Sequence, residues 1–332
     1  MKIYFFESEK WEEQIIKKAF PDAILISEPL TNQNCHLFPD AEIISVFICS
    51  ILNNEIIQKL PNLKCIATRS TGYDHIDIAS CKARNITVCN VPEYGSVTVA
   101  EYTFALLLSL TRKIYQSVNQ AKTFHFDHNQ LCGIDLFQKR IGIIGLGKIG
   151  SHVLRISRGF GMKALVYTRT KDPVLEANLK FRYTDTLQEL LEQSDIISLH
   201  LPYCEATKHT INKENIKYIK KGAYIVNTAR GGLIETEALI MALEQNILAG
   251  VGLDVLEGEI ALTEEVEVLT EKYKQNTDWK TLVLDYILIN HPKVLITPHN
   301  AFNSNEALMR IENTNIDTIN QFIIGKKINN IA

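Results

Sequence analysis

The sequence "RIGIIGLGKIGSHVLRISRGFG", residues 140–161, gives the strongest indication of the fold class. Its first residues form an apolar run that predicts a buried strand, and its last residues predict a helix. Between the two lies the pattern Gly145-x-Gly147-x-x-Gly150. The pattern is weak alone, but it is specific where a strand leads into it and a helix follows. We interpret this stretch as a loop that binds a dinucleotide.

Each glycine has a separate physical role in such a loop. Gly145 permits the tight turn, Gly147 lets the backbone approach a pyrophosphate, and Gly150 lets helix and strand pack closely. The N-terminus of the following helix then faces the anion, where its partial positive charge is favourable. The alternative is an ordinary strand–helix turn without a ligand.

Apolar runs and helical stretches alternate on both sides of this loop. Near-continuous apolar strands separated by amphipathic helices predict parallel sheets covered by helices on both faces. The alternation fills the first hundred residues and restarts at residue 140. We therefore predict an α/β fold with doubly wound parallel sheets.

Two helical stretches carry specific expectations. The stretch "WEEQIIKKAF" places Trp11, Ile15, Ile16 and Phe20 near one helical face. Residues 98–118, "TVAEYTFALLLSLTRKIYQSV", predict one long helix that is apolar over more than one stripe. Such a helix must be covered on several sides, so we predict that it lies in the interface of a homodimer.

The composition narrows the class of protein. The chain has 332 residues, enough for two ordinary domains, and its net charge of −3 argues against nucleic acid as a partner. No segment approaches the roughly 20 apolar residues of a membrane helix, and the N-terminus does not resemble a signal peptide, so no membrane partner is expected. Seven scattered cysteines without a C-x-x-C pair predict reduced thiols in the cytoplasm, with no disulfide framework and no metal site.

The strand after the glycine loop ends in hydroxyl and cationic side chains. In "ALVYTRTKDP", residues 164–173, Thr168, Arg169 and Lys171 stand where an acid normally binds the adenine ribose, about 20 residues after the loop. An arginine there can hold a 2′-phosphate through charge-assisted hydrogen bonds. We therefore predict an NAD(P)(H) cofactor with NADP(H) favoured. The alternative is NAD(H), with Arg169 and Lys171 as surface cations.

A resemblance to a known family is carried by five further stretches. They are "RSTGYDHID" (69–77), "NVPEYGSVTVAEYTFALLL" (90–108), "NTARGGLIETEAL" (227–239), "GVGLDVLEGE" (250–259) and "LITPHNAF" (295–302). In order and spacing they resemble the D-isomer-specific 2-hydroxyacid dehydrogenases over nearly the whole chain. The chain length, Tyr94 and a charged insertion at 257–292 resemble the D-lactate dehydrogenase branch.

The resemblance implies two domains and a reaction. Residues 1–98 and 300–332 would form a flavodoxin-like substrate (catalytic) domain, and residues 99–299 a Rossmann nucleotide-binding domain. The implied reaction is NAD(P)-dependent reduction of a small 2-oxo acid to its D-2-hydroxy acid, with pyruvate to D-lactate as the first expectation. The alternatives are a glyoxylate or hydroxypyruvate reductase of the same fold, or a non-enzymatic nucleotide-sensing interaction protein.

The resemblance also implies a catalytic trio of Arg230, Glu259 and His299. Arg230 would bind the substrate carboxylate, which its planar guanidinium matches bidentately. His299 would be the general acid in reduction, because histidine titrates near neutral pH. Glu259 would pair with His299 and favour its charged form. Spacing alone does not choose between Glu259 and the neighbouring Glu257.

The remaining site residues are carried over from the family as binding positions. Backbone N–H groups of Thr71 and Gly72 would hold the substrate carboxylate, unless these residues form a plain turn. Tyr94 and Phe302 would contact the substrate, although Tyr94 could equally be a core residue. Besides the three glycines, Thr168 and Arg169, the cofactor positions on the pyrophosphate, adenine and nicotinamide sides are Lys148, Ile149, Leu201, Pro202, Thr207, Thr228, Ala229 and Asp254, the last holding the carboxamide.

Overall fold

Two parallel sheets organise the chain, one in each of two units. The structure is a computed structural model that describes residues 1–258 and 279–331. Met1–Tyr94 and Asn303–Ala332 form one unit, which we call the terminal unit. Gly95–Phe302 form the other, the central unit. Which unit binds the substrate stays a prediction.

The terminal unit contains a five-stranded sheet. Its strands are β1 (Ile3–Phe5), β2 (Ile24–Leu25), β3 (Ile43–Val46), β4 (Cys65–Thr68) and β5 (Thr87–Cys89), and its helices are α1 (Lys10–Ala19), α2 (Asn54–Gln58), α3 (Ile78–Ala83) and, near the C-terminus, α11 (Asn305–Ile323). All strand pairs are parallel, in the order β2-β1-β3-β4-β5. This is the flavodoxin-like order.

The central unit contains a seven-stranded sheet. Its strands are β6 (Arg140–Ile144), β7 (Lys163–Tyr167), β8 (Arg182–Tyr183), β9 (Ile196–Leu199), β10 (Ala223–Asn227), β11 (Leu248–Leu253) and β12 (Val294–Ile296). Its helices are α4 (Ser96–Thr111), α5 (Ile114–Lys122), α6 (Lys148–Gly159), α7 (Pro173–Leu179), α8 (Leu187–Gln193), α9 (Thr236–Glu244) and α10 (Trp279–Ile289). The parallel order β12-β11-β10-β9-β6-β7-β8 reverses direction at β6, as in a doubly wound Rossmann sheet. The predicted fold class is confirmed.

Strand β6 shows why these sheets form. Ile141, Ile143 and Ile144 are fully buried, so the strand contributes side chains to both faces of the sheet. Burying each of them stabilises the fold by about 1.5–3 kcal/mol relative to an exposed side chain. The resulting rigid strand ends where the glycine loop begins.

The buried face of α1 differs from the predicted one. Ile16 and Phe20 are buried, but Trp11 is 36% exposed, and Glu12 lies in the core beside them. A buried carboxylate needs a partner, and Glu12 Oε2 lies 3.2 Å from Nη1 of the buried Arg69. The prediction placed Trp11 on that face because apolar periodicity cannot recognise a residue that is buried for its charge.

The predicted single helix over 98–118 is wrong, because the chain forms α4 and α5 with a break between them. Lys113 has a left-handed backbone with φ of +53°. The carbonyl of Thr111 accepts a hydrogen bond from Ile134 N at 3.0 Å. A helix cannot continue through a left-handed residue, so the apolar pattern crosses a turn that it does not reveal.

The cysteines and helices bear on three other expectations. All seven cysteines are free thiols, and four of them are buried. In residues 1–258 and 279–331, no three His, Cys, Asp or Glu side chains are grouped so as to hold a metal ion. Over the same residues, every helix is too short or too polar to cross a membrane.

Candidate active site

The glycine loop joins β6 to α6. Gly145 has φ of +96°, and a Cβ there would lie 2.6 Å from the carbonyl oxygen of His200 and 2.9 Å from Cδ2 of Leu201. A Cβ on Gly150 would lie 2.1 Å from the Gly145 oxygen, whereas one on Gly147 would enter open space. Packing therefore requires the first and third glycines. The open space at Gly147, beside the N-terminus of α6, fits a pyrophosphate.

The end of β7 lies next to this loop. The carbonyl of Tyr167 accepts a hydrogen bond from Gly145 N at 2.9 Å. Beyond it, Thr168 is half-buried and Arg169 is exposed. Lys171 is paired with Asp185 at 2.6 Å. Arg169, in contrast, donates to no acceptor in the described part of the chain, so its guanidinium is available to a ligand.

Thr207 closes the loop predicted to lie on the adenine side. Its Oγ1 donates to the Pro202 carbonyl at 2.6 Å and accepts from Cys204 N at 2.9 Å. The hydrogen bond from Thr207 lowers the pKa of the Cys204 thiol, and the charge of Arg169 adds to this effect. Arg169 therefore lies close enough to the loop to act on it electrostatically.

A buried asparagine shapes the turn that carries Arg230. Asn227, 1% exposed at the end of β10, donates through Nδ2 to Arg230 O at 2.8 Å and accepts from Ala229 N at 3.0 Å. Thr228 Oγ1 lies 2.9 Å from Thr103 Oγ1 on α4. Asn227 is not among the predicted site residues, although a polar residue that closes the apolar run "AYIVN" is a signal in the sequence.

The two glycines after Arg230 are fixed by close packing. A Cβ on Gly231 would lie 2.0 Å from the carbonyl carbon of Leu256 and 2.5 Å from Glu257 N. A Cβ on Gly232 would lie 2.6 Å from the ring of Tyr203. Three chain segments therefore meet at the Arg-Gly-Gly turn, so it is a packed turn and not a simple turn on the surface.

His299 lies on a turn that is held by the buried Asp254. Oδ1 of Asp254 accepts from Thr297 Oγ1 at 2.5 Å and from Asn300 N at 2.9 Å, and Oδ2 accepts from Ala301 N at 2.8 Å. His299 N donates to the Asp254 carbonyl at 2.9 Å. His299 has φ of +50°, a strained conformation for a non-glycine residue. These contacts hold the strained residue in place.

The carboxyl group of Asp254 is itself under opposing influences. Burial raises its pKa, while the hydrogen bonds from Thr297 and two backbone N–H groups and the charge of His299 act in the opposite direction. Both of its oxygens are used to hold the turn. Its role toward a nicotinamide carboxamide stays a prediction.

Glu257 is bonded to groups other than His299. Its Oε1 lies 2.5 Å from His209 Nε2, and its Oε2 accepts from Thr236 N at 3.1 Å and Thr236 Oγ1 at 2.8 Å. Both oxygens of this carboxylate are thus engaged. Glu259, the predicted partner of His299, lies outside the described residues.

In the terminal unit, the predicted substrate loop follows β4. Ser70 Oγ donates to Gly72 O at 2.6 Å, Thr71 Oγ1 donates to Val91 O at 2.8 Å, and Asn90 Nδ2 donates to Thr71 O at 2.8 Å. Among the residues that the structure describes, the backbone N–H groups of Thr71 and Gly72 meet no acceptor. Two adjacent donors of this kind suit a carboxylate.

A buried ion cluster lies directly before that loop. Arg69, 2% exposed, donates through Nη2 to Phe6 O at 2.5 Å and Glu7 O at 2.9 Å, and through Nη1 it contacts Glu12. The fully buried Glu312 of α11 interacts electrostatically with both Arg69 and Glu12. We call Arg69, Glu12 and Glu312 the buried ion cluster.

Glu312 binds its proton more tightly than an exposed glutamate does. Burial raises the pKa of Glu312 to about 7, and the charge of Glu12 adds to this effect, against the opposing attraction of Arg69. Neither Glu312 oxygen has a hydrogen-bond partner in the described part of the chain that would favour the charged form.

The surroundings of four other predicted residues are described within the unit to which each belongs. Tyr94 is half-buried, and its carbonyl accepts from Arg310 Nε at 2.7 Å. Phe302 is half-buried at the end of the central unit. Lys148 is exposed at the start of α6, and Ile149 packs against an apolar core of the central unit.

The doubly wound sheet and its glycine loop define a class, the Rossmann-fold proteins that bind a dinucleotide. A family profile described as "D-isomer specific 2-hydroxyacid dehydrogenase, NAD binding domain" matches residues 104–301. The chain belongs to this family of dehydrogenases, which act on the CH–OH group of 2-hydroxy acids.

Three relatives illustrate the similarity. A 2-hydroxyacid dehydrogenase homolog from Zymomonas mobilis is 35% identical over 99% of this chain and 98% of the relative. A glyoxylate reductase from Thermococcus litoralis is 33% identical over 79% of this chain and 77% of its own. The crystal structure of D-lactate dehydrogenase from Aquifex aeolicus, complexed with NAD and lactic acid, has a TM-score of 0.85 and 34% identity, covering 98% and 96% of the two chains.

Proposed function

We propose that this chain reduces a small 2-oxo acid to its D-2-hydroxy acid, with pyruvate to D-lactate as the first substrate. The observation that carries the proposal is the strained His299 turn, held by three hydrogen bonds to the carboxylate of Asp254 and one to its carbonyl. An enzyme that delivers one proton must hold its acid in one place. The similarity to an enzyme solved with lactic acid supports the choice of pyruvate.

The chain's own residues divide the work. Arg230, on the turn shaped by Asn227, binds the substrate carboxylate with its planar guanidinium. The N–H groups of Thr71 and Gly72 are proposed to bind a carboxylate as well. His299 gives its proton to the oxygen that becomes the alkoxide, and Glu259 keeps His299 charged. When bound, the reduced nicotinamide supplies the hydride.

NADP(H) is the proposed preference. Arg169 is exposed at the strand end, has no acceptor in the described chain, and acts electrostatically on the Thr207 loop. A 2′-phosphate would supply the missing acceptor. NAD(H) is the alternative, since the Aquifex relative was solved with NAD.

Glyoxylate is the second candidate substrate, favoured by the 33% identity to a glyoxylate reductase. It lacks the methyl group of pyruvate. One methylene-sized difference in a pocket changes binding by only about 1–3 kcal/mol, so one enzyme can accept both acids.

A homodimer in the cytoplasm completes the proposal. Helix α5 and the loop after it expose the apolar side chains of Ile114, Tyr115, Val118, Phe124 and Phe126, the fourth being 89% exposed. An exposed apolar cluster of this kind indicates a protein–protein interface, and a second copy of the chain is the partner expected in this fold class. Seven free thiols support a reducing compartment. Sedimentation should give twice the chain mass of 37.6 kDa.

A spectrophotometric panel tests the function. Pyruvate, glyoxylate, hydroxypyruvate and a branched 2-oxo acid are each offered with NADH and with NADPH. His299→Ala should lower kcat by roughly 10²-fold or more while cofactor affinity stays near that of the parent protein. Absence of turnover with every acid, or a His299→Ala variant at full rate, would refute the proposal.

A further inference from the structure

A hydrogen-bonded pair of side chains outside the predicted catalytic trio joins two segments of the central unit. His209 Nε2 and Glu257 Oε1 are 2.5 Å apart, and both side chains are partly buried. The other carboxylate oxygen of Glu257 is bonded to the N–H and hydroxyl of Thr236, at the start of α9. Next along the chain, Gly258 N donates to the buried Asp285 at 2.8 Å. The segment around Glu257 is therefore fastened at three points.

The Arg230 turn lies between the two segments that this pair joins. On one side, His209 N donates to Gly232 O at 2.9 Å, and the Tyr203 ring packs on Gly232. On the other side, the backbone of Glu257 packs so closely on Gly231 that no Cβ fits between them. His209 and Glu257 thus each contact the turn and also bind each other.

We propose that the His209–Glu257 pair is a clip that positions Arg230 and links it to the loop closed by Thr207. Both residues act through the turn and touch neither substrate nor cofactor, so they are positioning residues. Because His209 follows the adenine-side loop two positions after Thr207, the clip connects the proposed carboxylate site of Arg230 to the predicted cofactor site. The inference rests on the proposed role of Arg230.

The clip is tested by separating substrate binding from cofactor binding. Oxamate, a 2-oxo acid isostere, is titrated into the cofactor-loaded enzyme. Glu257→Ala should weaken oxamate at least tenfold, because a misplacement of about 1 Å can cost 10²-fold, and should raise the 2-oxo acid KM more than it lowers kcat. Cofactor affinity should change less than about threefold, since the bond from His209 N to Gly232 remains.

Two variants act as controls. Glu257→Gln keeps an acceptor for Thr236 and a polar group toward His209, so it should restore most of the oxamate affinity. Glu237→Gln removes a surface carboxylate of α9 that pairs with Lys213 at 2.9 Å, and it should have no effect. If Glu257→Ala binds oxamate as the parent does, while the parent turns over a 2-oxo acid, the clip is refuted.

Limited trypsinolysis gives a readout that does not depend on substrate. Cleavage after Arg230, followed by mass spectrometry on the cofactor-loaded enzyme, should be several-fold faster in Glu257→Ala than in the parent or in Glu237→Gln, because a loosened turn opens locally. Equal rates would overturn the clip. If the parent neither turns over any 2-oxo acid nor binds oxamate, the proposed function fails, and the cleavage rate alone decides the clip.

Discussion

Two loops of this chain follow the carboxyl end of a parallel strand, one in each unit, and both are predicted to bind an anion. The glycine loop after β6 is formed by backbone atoms. Gly145 and Gly150 pack closely against carbonyl oxygens, and Gly147 lies at the N-terminus of α6. The loop after β4 is built from side chains, with Ser70, Thr71 and Asn90 bonded to its carbonyl groups and Arg69 buried before it.

The difference decides which loop a sequence can reveal. A backbone-built site needs glycines at fixed spacing, and that spacing is visible in a row of letters. A side-chain-built site draws on residues far apart in the chain. Asn90 lies 19 positions from Thr71, and Arg69 lies 57 positions from Glu12. Four variants test whether the two loops differ in this way, and they are given in order of decreasing expected effect.

Removing the cation of the buried ion cluster should have the largest effect. Arg69→Met leaves Glu12 and Glu312 buried without their counter-ion, so the free energy of unfolding should fall by about 3–5 kcal/mol, as measured by urea denaturation. The double variant with Glu12→Leu should recover part of this loss, because the unpaired charge is gone. A loss below about 1 kcal/mol would show that the second loop does not depend on its buried charges.

Glu312→Gln should remove a pH dependence of stability. The folded pKa of about 7 lies above the ordinary value of 4.5 for a glutamate, so the folded state binds the proton more tightly than the unfolded chain. The contribution of Glu312 to the free energy of unfolding should therefore be fully present below about pH 4.5. It should be lost as the pH rises through about 7, which lowers the free energy of unfolding by up to about 3 kcal/mol. Unfolding curves at about pH 5 and pH 8 should converge in Glu312→Gln, whose amide cannot ionise. If the two curves of the variant differ as much as those of the parent, the raised pKa of Glu312 is not the cause of the pH dependence.

Changing the strand end beside the glycine loop should reverse the cofactor preference. In Thr168→Asp with Arg169→Ala, NADPH should lose roughly 10- to 150-fold in kcat/KM, because a charge-assisted contact contributes about 1.5–3 kcal/mol. NADH should gain a ribose acceptor. The preference of the parent protein should shrink as salt rises, since Arg169 is exposed. A parent that prefers NADH would leave Arg169 as a surface cation.

The smallest stability effect should come from the middle glycine. Gly147→Ala adds a Cβ in open space, so the melting temperature without cofactor should stay that of the parent, while dinucleotide affinity falls roughly tenfold. Gly150→Ala is the matched control, because its Cβ would collide with the Gly145 carbonyl and should lower stability itself. Equal behaviour of the two variants would mean that packing explains the whole motif.

Many elements of the central unit could be predicted because contiguous residues in the sequence determine where they begin and end. Strands β7 and β10 begin and end where the apolar runs "KALVY" and "AYIVN" do. The stretches that contain Arg230 and His299 could also be recognised by their resemblance to the family, because each is short and contiguous in the sequence. The two-residue strand β8 has no such run, and the left-handed Lys113 interrupts an apolar pattern that continues across it.

The rest depends on contacts between distant residues. Glu12 is buried because Arg69 and Glu312 meet it, and no window of sequence contains all three. Asn227 shapes its turn through two hydrogen bonds that composition does not indicate. Spacing could not separate Glu257 from Glu259. The contacts of Glu257 with His209 and Thr236 assign its carboxylate to the Arg230 turn.

The packing at Gly231 also limits how this chain can diversify over generations. Every mutation of a glycine codon that changes the amino acid adds a Cβ, and here that atom would fall 2.0 Å from the Leu256 carbonyl. No substitution is therefore tolerated at position 231 unless the facing backbone moves as well. Arg169, exposed at its strand end, has no such restriction. A lineage or a mutant library that explores new cofactors can therefore vary position 169 freely, while position 231 must be inherited unchanged.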